Sequence, residues 1–199
     1  AGARVAIVTA KDKLRALLGA GLAFNDDRAK CFSAEKSDSS TQAEHGQDYA
    51  SNWLGMAQPE VYSAELSEFV FAAGVKLLAE WKPDVMYLTT TDFVQHKYAP
   101  EQPEAQSFYE MFDRYLTQLD AMGAAIVVTA DHGMKPKHDA NGDPQVIYVQ
   151  DLLDEWLGVA TARVILPITD PYVVHHGALA GFGTAYLPKG TCPLYTSEH

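Results

Sequence analysis

Two short clusters carry residue types that hold metal ions: Asp131 directly followed by His132, and Asp92 followed four residues later by His96. A carboxylate and an imidazole four apart on a helical turn share one face and can reach a single ion. Adjacent Asp131 and His132 differ. Neighbours on a strand point to opposite sides, so a strand end or tight turn must relax that alternation, or each side chain leans toward a different metal. Oxygen and imidazole donors without a thiolate suit Zn²⁺, with Mn²⁺ or Fe²⁺ open on ligand type alone. The plainer alternative makes each acid a helix cap and each histidine a satisfied polar residue at the rim of the core.

The elements that must position these residues are apolar runs. Residues 124–130, AAIVVTA, read as a buried strand that ends at Asp131, His132 and Gly133, and residues 85–91, VMYLTTT, read as a second strand ending at Asp92. Parallel α/β sheets place their chemistry at such strand ends. Two strand ends with one carboxylate and one imidazole each make a two-metal site the natural hypothesis.

The chain has 199 residues, 47% of them hydrophobic, enough for one domain with a sizeable core. Its formal net charge of −11, without a basic stripe, argues against a general nucleic-acid surface or an anionic-membrane binder. It leaves a small anionic substrate open, because bound metals supply local positive charge. Cys31 and Cys192 fit no zinc spacing and are too few for a disulfide framework, so a reducing, cytoplasmic compartment is the simplest expectation. No signal peptide pattern and no apolar run long enough to span a bilayer is present.

In chain order, Arg4 to Thr9 predicts a buried strand, and LRALLG a short helix with Asp12 as N-cap and Gly19 as its stop. Lys11 and Lys13 then lie at a strand's C-terminal end; taken alone they read as solvated lysines, placed slightly unfavourably against the helix dipole. A polar stretch follows, with a strand around Lys30 to Ser33, a helix around Gln47 to Leu54, and His45 read as a surface histidine. A long amphipathic helix begins at Ser63, with Leu66, Val70, Phe71, Val75, Leu77 and Leu78 on its apolar face. A helix from Pro103 to Leu119 carries Phe108, Met111, Phe112, Tyr115 and Leu119 as a core stripe. Beyond Gly133 the spacing predicts a loop with an Asn141-Gly142 turn, a strand QVIYV, a helix DLLDEWLG, and a glycine-rich segment from Tyr172 to Leu187 with strand-like ends.

TADHGM at 129–134 and TTTDFVQH at 89–96 resemble the alkaline phosphatase superfamily, in the branch that includes nucleotide pyrophosphatase/phosphodiesterases. VTAKDKLRALLG, CFSAEK, YSAELSEFVFAAG, DLLDEWLG and LPITDPYVVHHGALAGFGTAYL are similar to members of that branch that hydrolyse a carbon–phosphorus bond, over about Arg4 to Leu187. The resemblance implies an α/β fold with a mostly parallel central sheet flanked by helices, two Zn²⁺ ions, and a threonine nucleophile that converts phosphonoacetate to acetate and phosphate. Carried over residue by residue, Asp92 and His96 bind one zinc and Asp131 and His132 the other. Lys11 and Lys13 match the pair that holds the substrate carboxylate, which reverses the plain reading of them.

In the family a further aspartate at an N-terminal strand end, the threonine on a separate loop and a late histidine complete the site. None has a counterpart here, and His175 and His176 match a stretch that is not the late ligand. The expectation is a partial chain, with residues 1–170 as the α/β core and 171–199 as the start of a cap or insert plus an unaligned tail. The implied partner is a small anionic phosphonate, with no nucleic acid and no membrane, and a homodimer is admitted. A phosphodiesterase or pyrophosphatase of the same superfamily and a non-catalytic metal-binding module are the competing readings.

Overall fold

The computed structural model describes residues 2–24, 26–133, 136, 138–166 and 183–190. His175, His176, Cys192 and the expected boundary near residue 170 lie outside them. The chain divides into two compact units, Ala1–Lys135 and Pro136–His199.

The first unit is built on three parallel strands in the order β2-β1-β3, with β1 Val5–Thr9, β2 Ala29–Ser33 and β3 Val85–Thr89. All three form because their runs are apolar or β-branched enough to be covered by helices. The register sets Thr9 opposite both Ser33 and Thr89, so the three strands end level. β2 is buried throughout, whereas β3 is only half-buried and its outer edge pairs with nothing among the described residues.

Between β1 and β2 lies α1 (Asp12–Leu18), followed after β2 by short helices α2 (Gln42–His45) and α3 (Ala50–Leu54). The long helices are α4 (Glu65–Glu80) and α6 (Pro103–Ala121), with α5 (Phe93–Lys97) leaving the end of β3. Leu66, Phe69, Val70 and Leu77 of α4 are fully buried with Val8 and Phe32, as the apolar face predicts. Removing one such aromatic side chain costs about 3–5 kcal/mol. A second cluster joins α4 to α6 through Phe71, Phe108 and Met111, with Phe71 edge-on to Phe112 at 4.9 Å. Gly74 of α4 lets the helix settle on the sheet: a Cβ there would lie 2.6 Å from Leu88 Cδ1. No helix among the described residues is long and apolar enough to cross a membrane.

Four expectations in the first unit need correcting. Residues 124–130 make no strand; their backbone joins no ladder, and Val127 is 90% exposed. An apolar run becomes a strand only where a neighbour supplies hydrogen bonds, and here none lies alongside. Asp12 is the first residue of α1 rather than its cap, because Arg15 and Ser33 bond its carboxylate. His45 is 7% exposed rather than on the surface, and its Nδ1 accepts the Thr41 backbone N–H. That acceptor role requires the unprotonated nitrogen, and burial pushes the pKa of His45 down. Similarly, α4 begins at Glu65 with no side-chain cap, since Ser63 Oγ donates to Glu60 O.

In the second unit the expected turn forms, with Gly142 at a φ of 88° and Asp139 Oδ1 accepting from Asn141 N and Asp143 N. QVIYV is not a strand: Tyr148 precedes α7 (Val149–Leu157), and Val149 opens it. β4 (Arg163–Ile165) pairs antiparallel with β5 (Thr184–Tyr186). The Gln150 side chain ties α7 to that pair, donating to Ala162 O and accepting from Val164 N at 2.8 Å.

Candidate functional site

The level ends of β1 and β3 form the rim from which Lys11, Lys13, Asp92 and His96 leave the sheet. Hydrogen bonding continues past the strands: Ala10 N donates to Thr89 O, Ala34 N to Thr9 O and Glu35 N to Ala10 O. Thr9, fully buried, turns its Oγ1 to donate to Lys11 O at 2.8 Å. The backbone that carries Lys11 is thereby fixed on both sides. Ser67 of α4 does the same for the other strand end, its Oγ accepting from Thr91 N.

Lys11 does not wave free in solvent. Its Nζ donates to Val61 O at 2.8 Å and lies 4.9 Å from the centroid of the Tyr62 ring. The nearby acids are engaged elsewhere. Asp12 takes hydrogen bonds from Arg15 Nε at 3.0 Å and Ser33 Oγ at 2.9 Å, and the Arg15 bond holds its carboxyl below the ordinary range. Glu35 accepts from the Asp12 backbone N–H at 2.7 Å. Lys13 is exposed on the first turn of α1.

Asp92 and His96 behave as their spacing predicts: across the first turn of α5, His96 Nε2 is 2.9 Å from Asp92 Oδ2. Asp131 and His132 also face each other, at 3.6 Å, and His132 Nδ1 donates to Gly133 O at 3.1 Å. Gly133 cannot donate through its carbonyl, so the Nδ1 proton leaves Nε2 turned to the carboxylate. One cleft in this unit is lined by Lys11, Asp92, Gln95, Asp131 and His132, together with Phe112 and Leu116 of α6. Four of the expected residues line it; Lys13 and His96 are not among its lining residues.

What the structure does not assemble is a closed metal shell. Among the described residues no three His, Cys, Asp or Glu side chains gather tightly enough to hold one ion. The donor chemistry fits zinc, one carboxylate and one imidazole in each couple, but a catalytic zinc takes three protein ligands. Cys31 adds no thiolate; it is buried, and burial pushes its pKa up to about 11.

Sequence reading missed two contributors. The Val61–Tyr62 grip on Lys11 joins residues fifty apart, and no spacing announces it; only the passage of the chain before α4 across the end of β1 brings them together. Gln95, between Asp92 and His96, lines the cleft with its Oε1 buried and unpartnered among the described residues.

Comparison with known proteins shows what the chain as a whole is similar to. Two crystal structures of phosphonoacetate hydrolase from Sinorhizobium meliloti 1021, one in complex with phosphonoformate and one with phosphonoacetate, are each 77% identical in sequence to this chain, with TM-scores of 0.74 and 0.73. Each alignment covers 96% of this chain and 46% of the other, so the chain spans less than half the length of those proteins. Their alkaline phosphatase-like architecture is the one expected from the strand-end motifs. The type I phosphodiesterase / nucleotide pyrophosphatase family model matches residues 17–181, most of the chain, which therefore belongs to that family.

Proposed function

We propose that this chain supplies the substrate-carboxylate end and the metal-facing rim of a metal-dependent hydrolase that cleaves the carbon–phosphorus bond of phosphonoacetate, giving acetate and phosphate. The observation that carries the reading is the common cleft lined by Lys11, Asp92, Asp131 and His132, in a chain 77% identical to a phosphonoacetate hydrolase.

In this reading Asp92 and His96 hold one divalent ion and Asp131 and His132 the other, with zinc favoured by the oxygen and imidazole donors. When bound, such ions neutralise phosphonate oxygens and lower the pKa of a coordinated hydroxyl or water. The work of this chain's own residues lies at the other end of the substrate. Breaking the bond from carbon to phosphorus leaves an electron pair on carbon that delocalises into the carboxylate. The ammonium groups of Lys11 and Lys13 hold that carboxylate from binding onward and stabilise the charge as it develops, so they contribute to KM as well as to kcat. The nucleophile is a threonine that no position of this chain matches. A free, buried Cys31 thiol supports a reducing, cytoplasmic setting.

The test has two arms. The chain alone should release little or no phosphate from phosphonoacetate, because each couple offers two protein ligands. In the full-length protein, Lys11→Ala with Lys13→Ala should abolish that hydrolysis while sparing a neutral aryl phosphate ester. Equal loss of both activities would favour the phosphodiesterase reading that the family's breadth keeps open. Absence of bound metal in the active full-length protein would sink the metal assignment.

A further inference from the structure

A lysine aimed at an anion has a flexible stem whose ordering costs free energy, so a site gains when the side chain is held before the ligand arrives. Lys11 is held, and by unusual means. Its two partners, the Val61 carbonyl and the face of the Tyr62 ring, carry no charge. A carboxylate partner would have neutralised the ammonium; these leave it a full cation with hydrogen-bond donors to spare. Asp12, next in the chain, is engaged by Arg15 and Ser33, and Glu35 accepts the Asp12 backbone N–H.

Lys30 shows what a purely structural version of this grip looks like. It too donates to a carbonyl, Gly46 O, and lies 5.4 Å from an aromatic centroid, Trp81, but it is buried in the sheet. Lys11 instead lines the cleft. Tyr62 is 79% exposed, so core packing does not account for a large aromatic there. Its position is set by the turn closed by Ser63 Oγ on Glu60 O and by α4 immediately after, whose Leu66 is fully buried.

We propose that Tyr62 is a positioning residue: with the Val61 carbonyl it orients Lys11 toward the carboxylate of a carboxylated phosphonate, and thereby sets the preference for that substrate class. This rests on the reading of Lys11 as the carboxylate-binding residue. The ring acts through Lys11 and touches no reacting atom.

The test is a double-mutant cycle in the full-length protein, with KM and kcat for phosphonoacetate measured separately. Tyr62→Ala raises KM about 3- to 30-fold with a smaller change in kcat, the range a cation–ring contact supports. Tyr62→Phe, which keeps the ring face, stays within about twofold of the parent. In a Lys11→Ala background, Tyr62→Ala adds no further loss. An unchanged urea midpoint for Tyr62→Ala separates positioning from stability. If Lys11→Ala raises KM and Tyr62→Ala does not, or if Tyr62→Ala costs as much without Lys11 as with it, the positioning role is overturned and the carboxylate site stands. If Lys11→Ala leaves KM unchanged, the carboxylate reading itself fails and takes the proposal with it.

Discussion

Residues 85–92 and 124–132 are written in the same grammar, an apolar run that stops at an aspartate with a histidine close behind, yet they reach different ends. The first is a strand, bonded residue for residue to β1 and roofed by α4. The second joins no ladder among the described residues and leaves Ile126, Val127 and Val128 exposed. Apolar patterning states a demand for cover; whether the demand is met depends on a neighbouring strand, which is a property of the surrounding polypeptide. The two carboxylate–imidazole couples inherit the difference. Asp92 and His96 close to 2.9 Å on a helical turn, while Asp131 and His132 stand at 3.6 Å on unsupported backbone.

Hydrogen exchange offers the hardest test of that contrast. Amides of Ile7 and Val8, paired on both sides, should exchange only through global opening, about 5–15 kcal/mol for a domain, while those of Val127 and Val128 should exchange almost at the rate of a free peptide. Comparable protection in the two stretches would break the comparison. Next in size is a pair of substitutions followed by urea unfolding. Phe69→Ala, in the fully buried cluster, should cost about 3–5 kcal/mol, and Val127→Ser no more than about 0.5 kcal/mol. A large cost at Val127 would mean the segment is packed after all.

The smallest effect is in the pH dependence of the ordered side. His45 has its pKa lowered by burial, so between its folded value and about 6.5 the unfolded chain binds the extra proton. Stability should therefore be complete above about pH 6.5 and decline as the pH falls through that window. His45→Gln should flatten the slope measured by urea unfolding at several pH values. A slope unchanged by the substitution would assign it to other groups, among them Asp12, whose lowered pKa makes its contribution present above about pH 4 and lost below.

Much of the scaffold was legible before any coordinates. β1, β2, β3, α4 and α6 follow from periodicity because each demands cover and finds it within the same unit. Asp92 and His96 were legible for a local reason, a four-residue spacing on one turn. His45 was misread because the residues around it are polar, and composition does not register that α2 packs on β2 and buries the imidazole whose Nδ1 takes the Thr41 N–H one turn earlier. Asp12 was misread because a cap and an Arg15 partner look alike in sequence. The Val61–Tyr62 contact had no local signal, since it exists only once the chain has passed from β1 to the approach to α4.

The interstrand bonds that run on beyond Thr9 involve main-chain atoms alone, apart from the Thr9 hydroxyl. Main-chain contacts are indifferent to which amino acid supplies them. The rim is thus a socket whose plug can be exchanged: a different residue at position 11 would inherit the same mounting. A change in what this position contacts then requires only a new side chain, with the frame left as it is.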